Sequence, residues 1–553
     1  MAAGNVNGPL APASFRLTAR GFDPSKGKGG IMAVRTSTES GPIRDGFHPP
    51  SGATSGPIPP VAAGPERAPG IEAPEAAEVP VMPRSATTSG RPAADRDFDA
   101  IVIGAGSPGE HCAAAISAGR LRVAIVEREL MGGECSYWAC IPTKTLLRPG
   151  EALAAARQVP GAREAVAGEV DVDAALAWRD FMVSNYSDAG QESWAHSAGL
   201  HILRGTGRLA GPHTVTVGAT SYTAEHIVIA TGSDAAVPPI PGLTGLPGVW
   251  TNRHVTALKE IPSRLLILGA GPTGVEMAQA FARMGSSVVL IETNDRVLPK
   301  EPREVGRAVG AALDADGVDL RFGQPVSSAD RDGAEYVLAF PDGSHVRGDR
   351  LLVATGRRAR TADLGLETVG IEPSPRGIPV DDRLSAGPGL WAVGDVTGLW
   401  QLTHVGKYQG RIVADNILGR PRGAHYDAVP RVVFTDPQAA AVGDADGPYT
   451  ATVSLAGVAR TATYTRHYDL RPGFLTLVSN GEHLTGARAV GPEAGEWLQQ
   501  ATLAIRARVP IPVLLDVIQP FPTFSEAFLQ AVRDLDADIR LPDIKPTESA
   551  AVA

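Results

Sequence analysis

The chain has 553 residues, 51 Lys and Arg against 60 Asp and Glu for a net charge of −9, and 43% hydrophobic and 20% charged residues. That length allows about three to five domains, and the acidic balance argues against a basic nucleic-acid footprint. No run approaches the eighteen or more apolar residues of a membrane-spanning helix, and the N-terminus lacks the apolar stretch of a secretory signal. Neither nucleic acid nor membrane is therefore expected as a partner.

The first 96 residues hold 15 Pro and 13 Gly, a density typical of low-complexity segments, and they are read as a disordered Pro/Gly-rich extension. Arg16 and Arg20 occur without acids in the first twenty residues, but the amphipathic pattern of a transit peptide is missing. Met32 and Met82 are alternative starts.

Strand, glycine turn, helix and strand follow in DAIVIGAGSPGEHCAAAISAGRLRVAIVERE, and the pattern recurs near residue 270 in RLLILGAGPTGVEMAQAFARMGSSVVLIETN. In the first copy Gly104 permits the tight turn, Gly106 admits a pyrophosphate to the backbone, and Gly109 lets the helix pack closely. Glu127 is placed to accept a ribose hydroxyl. Gly269, Gly271, Gly274 and Glu292 repeat the set at the same spacing of 23 residues from first glycine to acid. One GxGxxG is weak evidence; two, each in context, imply two dinucleotide-binding domains. An acid at Glu292 favours a free 2′-hydroxyl, hence NADH, although Arg296 could accommodate the phosphate of NADPH.

Directly after the first unit runs GGECSYWACIPTK, from Gly132 to Lys144. Four residues separate Cys135 from Cys140, and an unbroken helix would hold their Cα atoms beyond disulfide reach. Cys135 is therefore expected at an irregular helix start and Cys140 one turn in, with Pro142 in an early turn. A thiolate near a helix N-terminus is stabilised by the dipole. A pair of buried thiols is the alternative. Zinc lacks a ligand set, because His111 and His196 are not at ligand spacing, so no metal is expected. Cys112, on the small-residue face of the first helix, reads as a packed core thiol. So few cysteines fit a reducing cytoplasm with a functional pair.

Short strands end at IVIATGSD, containing Gly232, and at LLVATGRR, containing Gly356; GLWAVGDVTG follows between Gly389 and Gly398. From about Tyr426 the pattern becomes alternating strands and one amphipathic helix, EWLQQATLAIRA, closing on VIQPFPTFSEAFLQAV.

Together these motifs resemble the class I pyridine nucleotide-disulfide oxidoreductases, the flavoproteins that include dihydrolipoyl dehydrogenase, glutathione reductase and mercuric reductase, over roughly Asp97 to Asp543. The resemblance implies an α/β fold: two Rossmann-like dinucleotide-binding domains, for FAD and NAD, plus a C-terminal α+β dimerisation domain. Residues 97–248 and 359–426 would form the two parts of the FAD-binding domain, 249–358 the NAD(P)H-binding domain, 427–545 the dimerisation domain and 546–553 a tail. Cys140 would contact the flavin and Cys135 would exchange with the acceptor. Lys144 and Glu276 would form an ion pair near the flavin ring, Asp395 would bind the ribityl chain, and Gly207, Gly232, Gly356, Thr403 and Lys144 match further cofactor positions. VPRVVFTDPQAAAVG, from Val429 to Gly443, resembles the opening of the dimerisation domain.

Two departures stand out. Relatives that reduce disulfides end in HPTxxE, with the histidine as acid-base and the glutamate orienting it; here Phe521 replaces the histidine, and the last histidine of the chain is His483. Glu526 remains, either as a carboxyl able to hold a proton or as a helix cap. Tyr137 and Trp138 stand where small or aliphatic residues are usual, either to stack on a flat acceptor or to pack a dimer interface. Three readings follow. The first is an NADH-dependent FAD enzyme, homodimeric, cycling Cys135 and Cys140 against a thiol or disulfide. The second sends the electrons to a quinone, dye or metal ion, though the C-terminal cysteine pair of mercuric reductases is absent. The third is a redox-sensing flavoprotein without turnover.

Overall fold

The computed structural model describes residues 96–464 and 473–540. The extension assigned to residues 1–96 lies outside the described residues except for Arg96, and so does the tail assigned to 546–553.

Phe98–Ile103 sits at the centre of the first sheet, parallel to Val123–Glu127 on one side and Thr220–Ile229 on the other, with Val102 opposite both Ile125 and Val228. The path runs Ser385–Gly387, Leu390–Ala392, Thr220–Ile229, Phe98–Ile103, Val123–Glu127, Leu200–Arg204, so strands far apart in sequence share one sheet. Ile101, Val102, Ile125, Ile227 and Val228 are fully buried. Both faces of such a sheet are covered, which is why its strands read as continuous apolar runs rather than alternating ones.

The second unit repeats the arrangement. Arg264–Leu268 lies between Ser287–Glu292 and Arg350–Val353, all parallel, with Asp319–Phe322 beyond. In each copy a helix leaves the carboxyl end of the central strand: α1 (Ser107–Ser117) and, further along the chain, α5 (Pro272–Arg283). Both helices have Gly at the N-cap and Pro in the first turn, where a missing N–H costs nothing. A Cβ on Gly109 would overlap the carbonyl oxygen of Gly104, and one on Gly274 that of Gly269. Cys112 on α1 is fully buried, and burial pushes its thiol up to about 12, as a core thiol requires.

The C-terminal unit is a five-stranded antiparallel sheet in the order Arg431–Val433, Gln438–Gly443, Leu484–Gly491, Phe474–Ser479, Tyr449–Ser454. Helix α7 (Glu526–Arg540) packs Ala527, Phe528, Ala531 and Leu535 against Leu475 and Leu477 of that sheet. The single helix read from EWLQQATLAIRA is two, Ala494–Trp497 and Gln499–Ala507, meeting at Leu498. No helix among the described residues is long and apolar enough to cross a membrane.

Gly109→Ala should lower the stability of the flavin-free protein by roughly 1–3 kcal/mol through overpacking. Gly106→Ala, whose Cβ meets nothing within 4 Å, should cost less than about 1 kcal/mol. Urea melts of the two variants check the contrast.

Candidate active site

The two thiols meet because the helix they occupy is broken. Cys135 lies in the short helix α2 (Gly133–Tyr137), and Cys140 is the first residue of α3 (Cys140–Gln158), with Pro142 inside its first turn. Trp138 (φ −135°, ψ 6°) and Ala139 (φ −138°, ψ −100°) form the break, and the sulfur atoms come within 2.7 Å of each other. Cys140 was expected one turn into a helix begun near Cys135; instead it begins a second helix. Its sulfur therefore lies at the end where unsatisfied amides and the dipole favour an anion.

The environment separates the two thiols electrostatically. The hydrogen bond from Cys135 outweighs burial at Cys140, and with Thr403 Oγ1 at 3.3 Å and the charge of Lys144 it lowers the Cys140 thiol to about 6. Cys135 moves the other way, raised by donating to Cys140 and by burial; only Thr403 and the positive potential of Lys407 oppose this. Thr403 and Lys407 occupy successive turns of one face of α6 (Thr403–Ile417). Lys144 Nζ is 2.7 Å from Glu276 Oε2, lies 4.7 Å from the centre of the Phe434 ring, and holds its ammonium against a carboxylate that is almost wholly buried on α5. The other oxygen of Glu276 accepts the Phe434 amide at 3.0 Å.

A cavity of about 560 Å³ runs from Cys135 along the first glycine turn. Its lining includes Gly104, Gly106, Glu127, Cys135, Gly207, Gly232, Asp395 and Thr403. Cys140, expected against the flavin, does not line it, nor do Lys144, Glu276 and Gly356, and Gly109 lies behind the turn against Gly104. The cavity suits FAD on its own features: a space beside Gly106 that no protein atom fills, the N-terminus of α1 for a pyrophosphate, and Glu127 at one end for a ribose. Asp395, whose carboxyl burial raises against the pull of Ser233 and Arg357, stands in the same lining as Cys135.

The acids of the two units hold their turns alike. Glu127 accepts the Ala105 amide at 2.8 Å through one oxygen and the Glu129 amide at 2.8 Å through the other. Glu292 accepts the Ala270 amide at 2.9 Å and the Asn294 amide at 3.0 Å, with the Asn294 side chain adding a third bond. Burial raises the Glu292 carboxyl, but these bonds outweigh it and leave the group below its ordinary value. Arg296, the possible phosphate ligand, is occupied elsewhere: it donates to Asp295 and to the Pro299 and Glu301 carbonyls.

Sequence reasoning missed a cluster around Glu134, which Asn252, Arg253, Arg357 and Arg360 all approach. It also missed Glu110 on α1, a buried carboxyl pushed up to about 7 by burial and the charge of Glu127. Neither carries a motif; both arise from residues brought together by the fold. Within one chain the aromatics of the redox loop pack on each other and on neighbouring side chains. Tyr137 is 1% exposed and packs with Trp138 and Tyr186, and the guanidinium of Arg253 covers the Trp138 ring at 4.1 Å.

At the other end of the chain Phe521 is 75% exposed beside the exposed Val513, Val517 and Ile518, and Glu526 accepts the Thr523 amide at 3.4 Å, a capping arrangement at the start of α7.

Residues 98–410 match the model of the pyridine nucleotide-disulphide oxidoreductases, and residues 429–532 match the dimerisation domain of the same enzymes. A mercuric reductase of Acidithiobacillus ferrooxidans is 34% identical over 79% of this chain and 83% of its own length. A dihydrolipoyl dehydrogenase of Thermus scotoductus is 34% identical over 80% of this chain and 98% of its own. Among solved structures, the HOCl-induced flavoprotein disulfide reductase RclA of Escherichia coli, in a Cu(II) complex, superposes with a TM-score of 0.69 at 28% identity, covering 80% of this chain and 99% of RclA. The chain belongs to the pyridine nucleotide-disulphide oxidoreductase family, whose enzymes bind FAD and use NAD(P)H. It is an FAD-dependent NAD(P)H disulfide oxidoreductase.

If the Cys135 hydrogen bond, Thr403 and Lys144 hold the Cys140 thiolate, its ultraviolet absorbance in the reduced protein should persist as the pH falls and vanish through about 6. A lowered folded-state value means that the charged form is favoured above this pH and lost below it. Thr403→Val removes one charge-assisted hydrogen bond and should move the titration upward by about one pH unit.

Proposed function

We propose that the chain is a homodimeric, NADH-dependent enzyme that exchanges electrons with a thiol or disulfide through Cys135 and Cys140. The observation that carries this reading is the thiol pair itself, 2.7 Å apart with Cys135 on the wall of the cofactor cavity, one member lowered and the other raised. The division of labour, with Cys140 as the cofactor-side thiolate and Cys135 as the thiol that meets the acceptor, is supported by this polarity and by the family resemblance, while Cys135 and not Cys140 lines the cavity. Bound FAD supplies two-electron chemistry joining the hydride of the nicotinamide to the sulfur pair. Lys144, neutralised by Glu276, orients its ammonium toward the Cys140 side of the site. Glu127 and Glu292 anchor the two glycine turns, and the engagement of Arg296 with neighbouring carbonyls supports NADH over NADPH.

The dimerisation domain and the exposed apolar side chains of Val513, Val517, Ile518 and Phe521 within it support pairing of two copies. With Cys112 buried and a pair that must cycle, a reducing cytoplasm is the setting proposed. We take the domain limits to be 97–248 with 359–426 for FAD, 249–358 for the nicotinamide and 427–545 for dimerisation.

One observation favours a second reading, in which a quinone-type molecule or metal ion takes the electrons: Phe521 holds the place of the acid-base histidine, and Glu526 is engaged as a cap. Reduction of mercury in the manner of enzymes with a C-terminal cysteine pair is not supported, because the three cysteines are Cys112, Cys135 and Cys140.

The first reading expects coenzyme oxidation with lipoamide or low-molecular-weight disulfides, faster with NADH than NADPH, and a narrower coenzyme gap in Glu292→Ala. Phe521→His should raise disulfide turnover, by less than the roughly hundred- to ten-thousand-fold of an established general acid, and leave quinone reduction unchanged. Rapid quinone turnover with no disulfide turnover in either protein would select the second reading.

A further inference from the structure

A kink that juxtaposes two thiols must be held, because the local backbone could otherwise relax toward a continuous helix in which they part. The contacts that hold it come from far along the chain. Asn252 and Arg253 open α4 (Asn252–Thr256), just past the first cofactor strands. The side-chain amide of Asn252 donates to Glu134 Oε2 at 2.7 Å and to the Trp138 carbonyl at 2.9 Å, so that one residue brackets Cys135 from both sides. Arg253 Nε meets Glu134 Oε1 at 2.5 Å, its Nη2 meets Glu129 at 2.8 Å, and its plane covers the Trp138 ring. Arg360 reaches the same carboxylate at 3.3 Å and Arg357 at 3.6 Å. Asn252 is buried, and the Glu134 side chain is only 18% exposed, so these charge-assisted bonds are shielded from water and salt.

We propose that Glu134 is a positioning residue for the redox pair: through Asn252 and Arg253 it clamps the break at Trp138 and Ala139, and so sets how readily Cys135 and Cys140 close into a disulfide. The inference rests on the redox role proposed for the pair. Its physical content is preorganisation. Two thiols held at one geometry behave as if at high concentration toward each other, and loosening the loop lowers that effective concentration. Glu134, Arg253 and Arg360 also line the cofactor cavity, so flavin content is read alongside the thiol equilibrium.

The test equilibrates the full-length holoenzyme with glutathione buffers of varied ratio, followed by alkylation and mass measurement of Cys135 and Cys140. In the exchange two protein thiols give up two electrons and two protons to one glutathione disulfide, yielding the protein disulfide and two molecules of glutathione. Glu134→Ala should shift this equilibrium about tenfold toward the dithiol, read on the flavin-loaded protein. Glu134→Gln, which still accepts from Asn252 but loses the ion pairs, should fall between Glu134→Ala and wild type. If Glu134→Ala loses its flavin, Asn252→Ala decides, with a shift in the same direction expected. An equilibrium within twofold of wild type in a variant that keeps its flavin overturns the clamp, and so does loss of flavin by both variants, which would make the cluster a means of cofactor retention. A wild-type protein that forms no Cys135–Cys140 disulfide at any ratio would instead defeat the redox role on which the clamp rests.

Discussion

An α-helix advances 100° per residue, so cysteines five positions apart point to different sides of it and cannot touch. Everything particular to this site depends on the chain giving up that helix for two residues, Trp138 and Ala139, and resuming it at Cys140. The break does two things together. It brings the sulfurs within 2.7 Å, and it makes Cys140 the first residue of α3, where the dipole and Thr403 favour a thiolate. Because the pair shares a proton, lowering one thiol raises the other, and the asymmetry needed for directional exchange follows from one backbone irregularity.

The rest of the molecule brings groups to that irregularity. The first sheet delivers the glycine turn; Gly132, just ahead of the redox loop, donates to the Ala105 carbonyl within it at 2.8 Å. The second sheet delivers Glu276 on α5 to pair with Lys144 on α3, and the same helix fixes the start of the C-terminal unit through Glu276 to the Phe434 amide and Gln279 to the Asp436 amide and carbonyl. One helix thus links Lys144 to the C-terminal unit that carries Phe521.

The periodic and local features could be read without a structure. Both glycine turns, their helices and their closing acids lie within single stretches of about thirty residues, and a buried parallel sheet announces itself by unbroken apolar runs. What could not be read depends on residues distant in sequence. Glu134 meets Asn252 and Arg253 across more than a hundred positions, and nothing in its own neighbourhood marks it. The expected placement of Cys140 failed for a related reason: spacing shows that a continuous helix is impossible, but not where it breaks. The contacts of Tyr137 with Tyr186 and of Trp138 with Arg253 likewise join residues far apart in sequence. The Lys144–Glu276 pair followed from family resemblance and not from any pattern in the residues themselves.

The central claim is that Cys140 is the cofactor-side thiolate and Cys135 the exchanging thiol. Anaerobic two-electron reduction of the flavin-loaded protein tests it most directly. Long-wavelength absorbance, from a thiolate lying against the oxidised isoalloxazine, should appear in wild type, survive in Cys135→Ser and be absent in Cys140→Ser. The opposite assignment of that absorbance between the two variants, or its absence from wild type at a pH well above 6, would contradict the account.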